Sequence, residues 1–312
     1  RYAQMTTLTM GRKRQPRRGD AVNGMLLLDK PAGITSNAAL QEAKTLLGAR
    51  KGGHTGSLDP IATGLLPLCF GHSTKLSGFF LGAEKIYWAQ IRLGQTTDTG
   101  DSEGQVVATS ALKPSRDQIE MELAQFRGEI EQVPPMYSAI KVNGKPLYRL
   151  AREGITIERE ARRFLIVYLE LTEYAFPFVE IKLRCSHGFY VRGLADDLGR
   201  ALGCGGHVSA LRRLGVADLT VDEAMTMDQL SSLADQTARR KSLVPADQGL
   251  CHIPEVRLSV DAAYYLCRGQ AVRAAGLPKH GDVRIYSTEA GFLGVGQVTD
   301  DGRVAPRRLM VG

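Results

Sequence analysis

Two stretches of strict alternation decide what this chain can build. From residue 86 to 94, Tyr87, Ala89, Ile91 and Leu93 share one side while Trp88, Gln90 and Arg92 share the other. From 179 to 185, Val179, Ile181, Leu183 and Cys185 alternate with Glu180, Lys182 and Arg184. A period of two sends one face of a strand to a core and the other to water, so a half-buried sheet must stand at the centre of the fold. Tyr87 starts on its core side. Helical spacing appears between the strands: Leu40, Ala43 and Leu47 follow Ser36 and stop at Gly48, and Leu194, Leu198 and Ala201 stop at Gly203. Ser115 and Gln118 form a capping box before Ile119, Leu123 and Phe126.

Punctuation places the remaining pieces. A strand over Gly24-Met-Leu-Leu-Leu-Asp-Lys-Pro31 runs into a loop, giving a β-loop-α opening. Val142-Asn-Gly-Lys145 reads as a tight hairpin, followed by a short basic helix over Leu147–Arg152 that ends at Gly154. The pattern weakens between Ala234 and Pro254, where a domain boundary is expected. Strand-like pieces at 283–286 and 292–298 and a basic end at 303–308 then suggest a small β-rich module. At 312 residues the chain is long enough for one large domain and one small one.

Charge and cysteines narrow the partners. Of 40 Lys and Arg, six (Arg1, Arg12, Lys13, Arg14, Arg17 and Arg18) precede the first acid, Asp20, leaving 34 against 33 acids in the body. Polyanion binding by the body therefore depends on local patches, and residues 1–19 read as a flexible basic tail. No apolar run approaches the roughly 18 residues of a membrane helix, and the tail lacks the apolar stretch of a secretory signal, so a cytoplasmic address without membrane contact is expected. Cys69, Cys185, Cys204, Cys251 and Cys267 are scattered, with no C-x-x-C, and read as buried thiols in a reducing compartment. Phosphate-loop, zinc-protease and dinucleotide signatures are missing, so no metal or nucleotide cofactor is expected.

The densest chemical signal is Gly53-His-Thr-Gly-Ser-Leu-Asp-Pro-Ile-Ala-Thr-Gly64, which has neither helical nor strand period. Three glycines, a histidine and one carboxylate in a row describe a shaped loop. Pro60 biases Asp59 away from the α region and so fixes how its side chain is presented. Over this whole length the sequence resembles the TruB family of tRNA pseudouridine synthases, whose G-H-x-G-x-L-D-P-x-A-x-G motif places the catalytic aspartate at Asp59. The resemblance continues through Leu28-Asp-Lys-Pro31, Leu93-Gly-Gln-x-Thr-Asp-Thr99, Pro135-Met-Tyr-Ser-Ala-x-Lys141, residues 185–192, Asp196-Asp-Leu-Gly199, Leu211-Arg-Arg-Leu214 and Gly302-Arg-Val-Ala-Pro-Arg-Arg308. It spans nearly all of residues 23–312.

The resemblance implies an α+β pseudouridine synthase fold, with a central mixed, largely antiparallel sheet flanked by helices and loops. It implies a catalytic domain over 20–252, a thumb-like RNA-binding insert at about 133–163 and a PUA-like RNA-binding domain over 253–312. It implies isomerisation of uridine 55 in the TΨC loop of tRNA, without cofactor or metal, by an aspartate acting on a flipped-out base. Opening steps by attack at C1′, by attack at C6 or by removal of a sugar proton all start from ionised Asp59. Arg192 is the expected cation beside it, Tyr190 lines the pocket from the same extended stretch, and Tyr87 stacks on the uracil and is a candidate base. His54, Lys30 and Leu211 match family positions around the flipped nucleotide. Lys141, Lys145, Arg149 and Arg152 on the insert, with Arg212, Arg307 and Arg308, are expected RNA contacts, and Arg213 is read with Arg212 as a surface pair. The expected partner is the TΨC stem-loop of tRNA, with no obligatory protein. Two rivals remain open: a guide-RNA-dependent enzyme of the dyskerin type, opposed by Ile61-Ala-Thr63 and by the insert, and a non-catalytic RNA-binding or RNA-folding protein on the same fold.

Overall fold

The computed structural model describes residues 19–310, so all but the last residue of the expected basic tail lies outside the described residues. The chain opens with β1 (Gly24–Lys30), then α1 (Ser36–Leu46), β2 (Gly52–His54) and β3 (Thr63–Phe70). Thr35 starts α1 by accepting from the Ala38 N–H at 3.1 Å. A 3₁₀ turn and α2 (Ser77–Gly82) lead to β4 (Lys85–Leu93), the ribbon of β5 (Gln95–Thr97) and β6 (Val106–Thr109), α3 (Arg116–Gln125) and β7 (Gly128–Gln132). Both halves of the capping box form at Ser115 and Gln118. The expected hairpin pairs β8 (Lys141–Val142) with β9 (Lys145–Pro146), with positive φ at Asn143 (50°) and Gly144 (81°), the conformation that an Asn-Gly turn supplies at least strain. After α4 (Leu147–Arg152) come β10 (Arg162–Ala175), β11 (Phe178–Cys185), α5 (Val191–Ala201), β12 (Gly206–Val216), β13 (Leu219–Thr220), β14 (Met225–Thr226), α6 (Met227–Ser232) and α7 (Gln236–Lys241). The chain closes with β15 (Glu255–Leu258), α8 (Val260–Cys267), β16 (Gly281–Ser287), β17 (Gly291–Val298) and β18 (Val304–Leu309).

The main sheet runs β14-β1-β3-β12-β4-β11-β10-β7, with β2 beside β3 and β13 beside β12. Only the β1–β14 and β3–β12 pairs are parallel, so it is the mixed, largely antiparallel sheet implied above. β1 is apolar without alternation because both of its faces are covered. Leu26 and Leu28 join one core with Leu40 of α1, Ile119 of α3, Leu198 of α5 and Leu230 of α6. Met25 and Leu27 join a second with Phe80, Leu219, Leu250 and Ile253.

The weakly patterned stretch at 234–254 is structured. It carries α7 and a 3₁₀ turn, Val244 pairs with Met25 of β1, and Ala246, Leu250 and Ile253 are buried. The four-stranded sheet β15-β16-β17-β18 follows, with a core of Val256, Leu258, Leu266, Val283 and Ile285. Its Val295 packs into the second core of the main sheet, so the two sheets share apolar contact. The expectation of five buried thiols is corrected at two positions: Cys251, at the cap of the 3₁₀ turn, is exposed, and Cys267, the last residue of α8, is half-buried.

Candidate active site

One rung across five strands underlies the site. Lys30 of β1 stands opposite Gly64 of β3, Gly64 beside Arg213 of β12, Arg213 opposite Tyr87 of β4, and Tyr87 opposite Leu183 of β11. Side chains on one rung and one face are neighbours, so the register alone brings two buried cations and a tyrosine together. Gly64 is required there, because a Cβ would lie 2.3 Å from the Arg213 carbonyl oxygen, and its φ of +97° suits glycine alone.

The ends of the Gly53–Gly64 motif are strand, in β2 and β3, and the loop between them, residues 55–62, is held from below by bonds to its backbone. Ser36 Oγ donates to the Leu58 carbonyl at 2.9 Å and accepts from the Leu58 N–H at 2.7 Å. Arg213 donates to the Gly56 carbonyl at 3.1 Å, and Lys30 to the Pro60 carbonyl at 3.3 Å. The Ala62 N–H returns to the Asp59 carbonyl at 3.0 Å, and Leu58 and Ala62 are buried. Asp59 is thus the raised point of a turn pinned on both sides.

Its carboxylate meets Arg192 Nε at 3.0 Å. Arg192 is a hub: one amino group donates to the Thr99 carbonyl at 3.1 Å and lies 3.6 Å from Asp101, and the other donates to the Tyr137 carbonyl at 2.7 Å. Its side chain is 7% exposed and that of Asp101 5%, whereas that of Asp59 is 41% exposed, so a buried pair presents an accessible carboxylate. Burial pushes the Asp59 carboxyl above its ordinary value, Arg192 pulls it down, Asp101 adds to the rise and Lys30 opposes it. Asp101 was not foreseen as a site residue. Its local signal is the Thr97-Asp-Thr-Gly-Asp101 turn, in which Thr99 Oγ1 donates to Asp101 at 2.6 Å.

Arg192 and Tyr190 do not share an extended stretch, contrary to expectation. α5 begins at Val191, because Val191, Leu194, Ala195 and Leu198 form a buried helical face reaching back past Leu194. Tyr190 is the last extended residue, and Gln132 clamps it by accepting from its N–H and donating to its carbonyl, both at 3.0 Å. A cavity of about 510 Å³ opens beside Tyr190, lined by Ile140, Arg162, Phe164 and His187. Burial raises the phenols of Tyr87 and Tyr190, and burial followed by Arg213 lowers His54, favouring its neutral form. His54 sits in β2 with a buried Nδ1 that has no hydrogen-bond partner among the described residues, and Leu211 is buried in the main core.

Several expected RNA contacts are employed elsewhere. Lys30 is fully buried, its Nζ donating to the carbonyls of Pro31, Ile34 and Pro60 at 2.7, 2.8 and 3.3 Å, and burial lowers it to about 8. It braces the loop rather than reaching outward. Arg212 grips Asp29 with two bonds of 2.9 and 2.7 Å, Arg213 is buried, and Arg307 pairs with Asp282 while Arg308 donates to the Arg307 carbonyl at 2.8 Å. Lys141, Lys145, Arg149 and Arg152 are exposed on the insert. Among the described residues no group of three or more His, Cys, Asp or Glu stands together in a way that could hold a metal ion.

Three family models cover most of the chain. Residues 44–191 match the TruB family pseudouridylate synthase N-terminal domain, 192–251 the tRNA pseudouridylate synthase B C-terminal domain, and 254–310 the pseudouridine synthase II TruB C-terminal model. The chain is 49% identical over 293 residues to a tRNA pseudouridine synthase B of Pseudomonas paraeruginosa, covering 93% of this chain and 96% of that one. It is 49% identical over 302 residues to that of Nitrosococcus oceani, covering 96% and 98%. Among solved structures, a chain of a Cbf5-Nop10-Gar1 complex superposes with a TM-score of 0.73 at 25% identity, covering 93% of this chain and 86% of that one.

Proposed function

Because the chain belongs to the TruB family of pseudouridylate synthases, and isomerises uridine to pseudouridine in tRNA as its relatives do, we propose that its target is uridine 55 of the TΨC loop. Base chemistry of this kind needs the nucleotide out of its stack. Asp59 initiates the reaction on the flipped-out uridine, whether at C1′, at C6 or at a sugar proton. The N1–C1′ bond breaks, the uracil turns over, and it rejoins through C5. The observation that carries this reading is Asp59 held at 3.0 Å by a buried Arg192 on a loop pinned from below.

Arg192 orients Asp59 and keeps it ionised against burial. Tyr190 lines the pocket, and Tyr87 stacks on the uracil and is the candidate to take the C5 proton. The insert at 133–163 grips the RNA loop through Lys141, Lys145, Arg149 and Arg152, and the module from residue 253 acts as a PUA-like domain with more distal contacts. The reaction takes place in the cytoplasm.

The test is incubation of unmodified tRNA with the purified protein alone, with pseudouridine mapped by chemical derivatisation. Formation at position 55 without added RNA is expected. A requirement for a guide RNA would establish the dyskerin-type reading, and tRNA binding without product would establish the RNA-folding one.

A further inference from the structure

Arg213 is 1% exposed and, with Lys30, is one of the two largest side chains fully buried among the described residues. Its Nε donates to the Leu65 carbonyl at 2.7 Å and one amino group to the Gly56 carbonyl at 3.1 Å, and among the described residues no carboxylate pairs with it. A buried guanidinium bonded only to neutral carbonyls has no carboxylate to offset its charge, an arrangement that costs stability. It stands directly opposite Tyr87 across β4 and β12.

We propose that Arg213 is a positioning residue for the isomerisation, fixing Tyr87 across the rung and lending its uncompensated charge to the tyrosine oxygen while that oxygen takes the C5 proton. The inference rests on the reading of this site as a pseudouridine synthase. In the step itself the C5–H bond breaks, its electron pair restores the C5–C6 double bond as the C6–N1 double bond opens onto N1, and the proton passes to the Tyr87 phenolate. The phenol gives that proton to water before the next cycle and N1 gains one from water, so the isomerisation is proton-neutral.

The other ionisable groups acting on Tyr87 are Asp59 of the loop, whose carboxylate opposes a second anion there, and Cys185 of β11, whose thiol burial pushes up to about 12 and so keeps neutral. Burial pushes the phenol up, and Arg213 works against that rise. Lys85, on the same strand, has its Nζ held by the carbonyls of Phe80, Leu81 and Ala83 at 3.1, 2.7 and 2.6 Å, and His54 is favoured neutral. Arg213 is therefore the cation placed to balance a phenolate.

The test uses the TΨC stem-loop carrying 5-deuterated uridine at position 55, under single-turnover conditions across pH. In Arg213→Met, C5 proton removal should become limiting. The rate should fall about 100-fold, the scale of general-base assistance, with the isotope effect rising and the deficit shrinking as pH increases. Arg213→Lys keeps the charge, and should retain the parental isotope effect despite a modest rate loss from the missing Gly56 bond. A pH-independent deficit with an unchanged isotope effect in Arg213→Met would reduce Arg213 to a loop anchor and overturn the proposal. Should that variant fail to fold, a raised isotope effect in Arg213→Lys would overturn it equally. Failure of the unmutated protein to isomerise the stem-loop would instead remove the underlying reading.

Discussion

The Asp59 loop and the 133–163 insert meet the same RNA in the proposed reaction, yet they are built in opposite ways. Three side chains from three other segments, Lys30, Ser36 and Arg213, hold the backbone of the loop. The insert has a four-residue hairpin, one short helix and a single fully buried apolar anchor in that helix, Leu147, while Val142 and Ile155 stay exposed. Chemistry needs a carboxylate placed within a fraction of an ångström, whereas grip on a nucleic-acid loop tolerates adjustment. The two regions join at Arg192, which donates both to the Tyr137 carbonyl at the base of the insert and to Asp59. Loop order is thereby tied to insert position through one guanidinium.

The severest way to break this arrangement is at that joint. Arg192→Ala should leave Asp101 buried and unpaired, costing about 3 to 5 kcal/mol of stability, together with most of the rate. Arg192→Lys preserves charge but not the fork that reaches Asp59, Asp101, Thr99 and Tyr137, so kcat should still fall at least about 100-fold. Melting temperature and kcat, compared with the exposed control Arg116→Lys, separate these effects.

Asp101→Asn should do less. It removes a charge that raises the Asp59 carboxyl, so the acid limb of kcat/KM should move to lower pH. The sign follows because Asp59 acts as an anion, so activity is lost as pH falls through its folded value. An acid limb that stays in place would show that Asp101 has no electrostatic hold on Asp59.

Ser36→Ala leaves both the N–H and the carbonyl of Leu58 without their partner, and a loss of about 1 to 3 kcal/mol is expected with a smaller drop in kcat. Chemical denaturation reads the first and steady-state kinetics the second. The mildest intervention is on the insert. Lys141→Ala with Lys145→Ala should raise KM several-fold at constant kcat and reduce the slope of log affinity against log salt by roughly one per lysine that contacts phosphate. A fall in kcat instead would mean that the insert shapes the catalytic loop rather than gripping RNA.

These contrasts also mark what the sequence could say. Strands over 86–94 and 179–185, the Asn-Gly hairpin and the capping box rest on local rules of period and turn chemistry, and all are found. The Asp-Pro loop was legible because its length and glycines fit no regular element. Arg213 and Lys30 were misread because long cations ordinarily reach the surface, and only the register of five strands shows that they lie beneath the loop. Asp101 was invisible because its partner is 91 residues away in sequence and no periodicity links them. The start of α5 was set too late because Val191 fits the end of a strand as readily as the first turn of a helix.

The most direct test of the central claim is Asp59→Asn, assayed side by side with the parental protein for single-turnover pseudouridine formation and for tRNA binding. The amide keeps the shape of the side chain but is a far weaker nucleophile and base. Product formation should fall below detection while the tRNA dissociation constant stays within a few-fold of the parental value. Substantial pseudouridine at position 55 from Asp59→Asn would contradict the account and move the chemistry to another group.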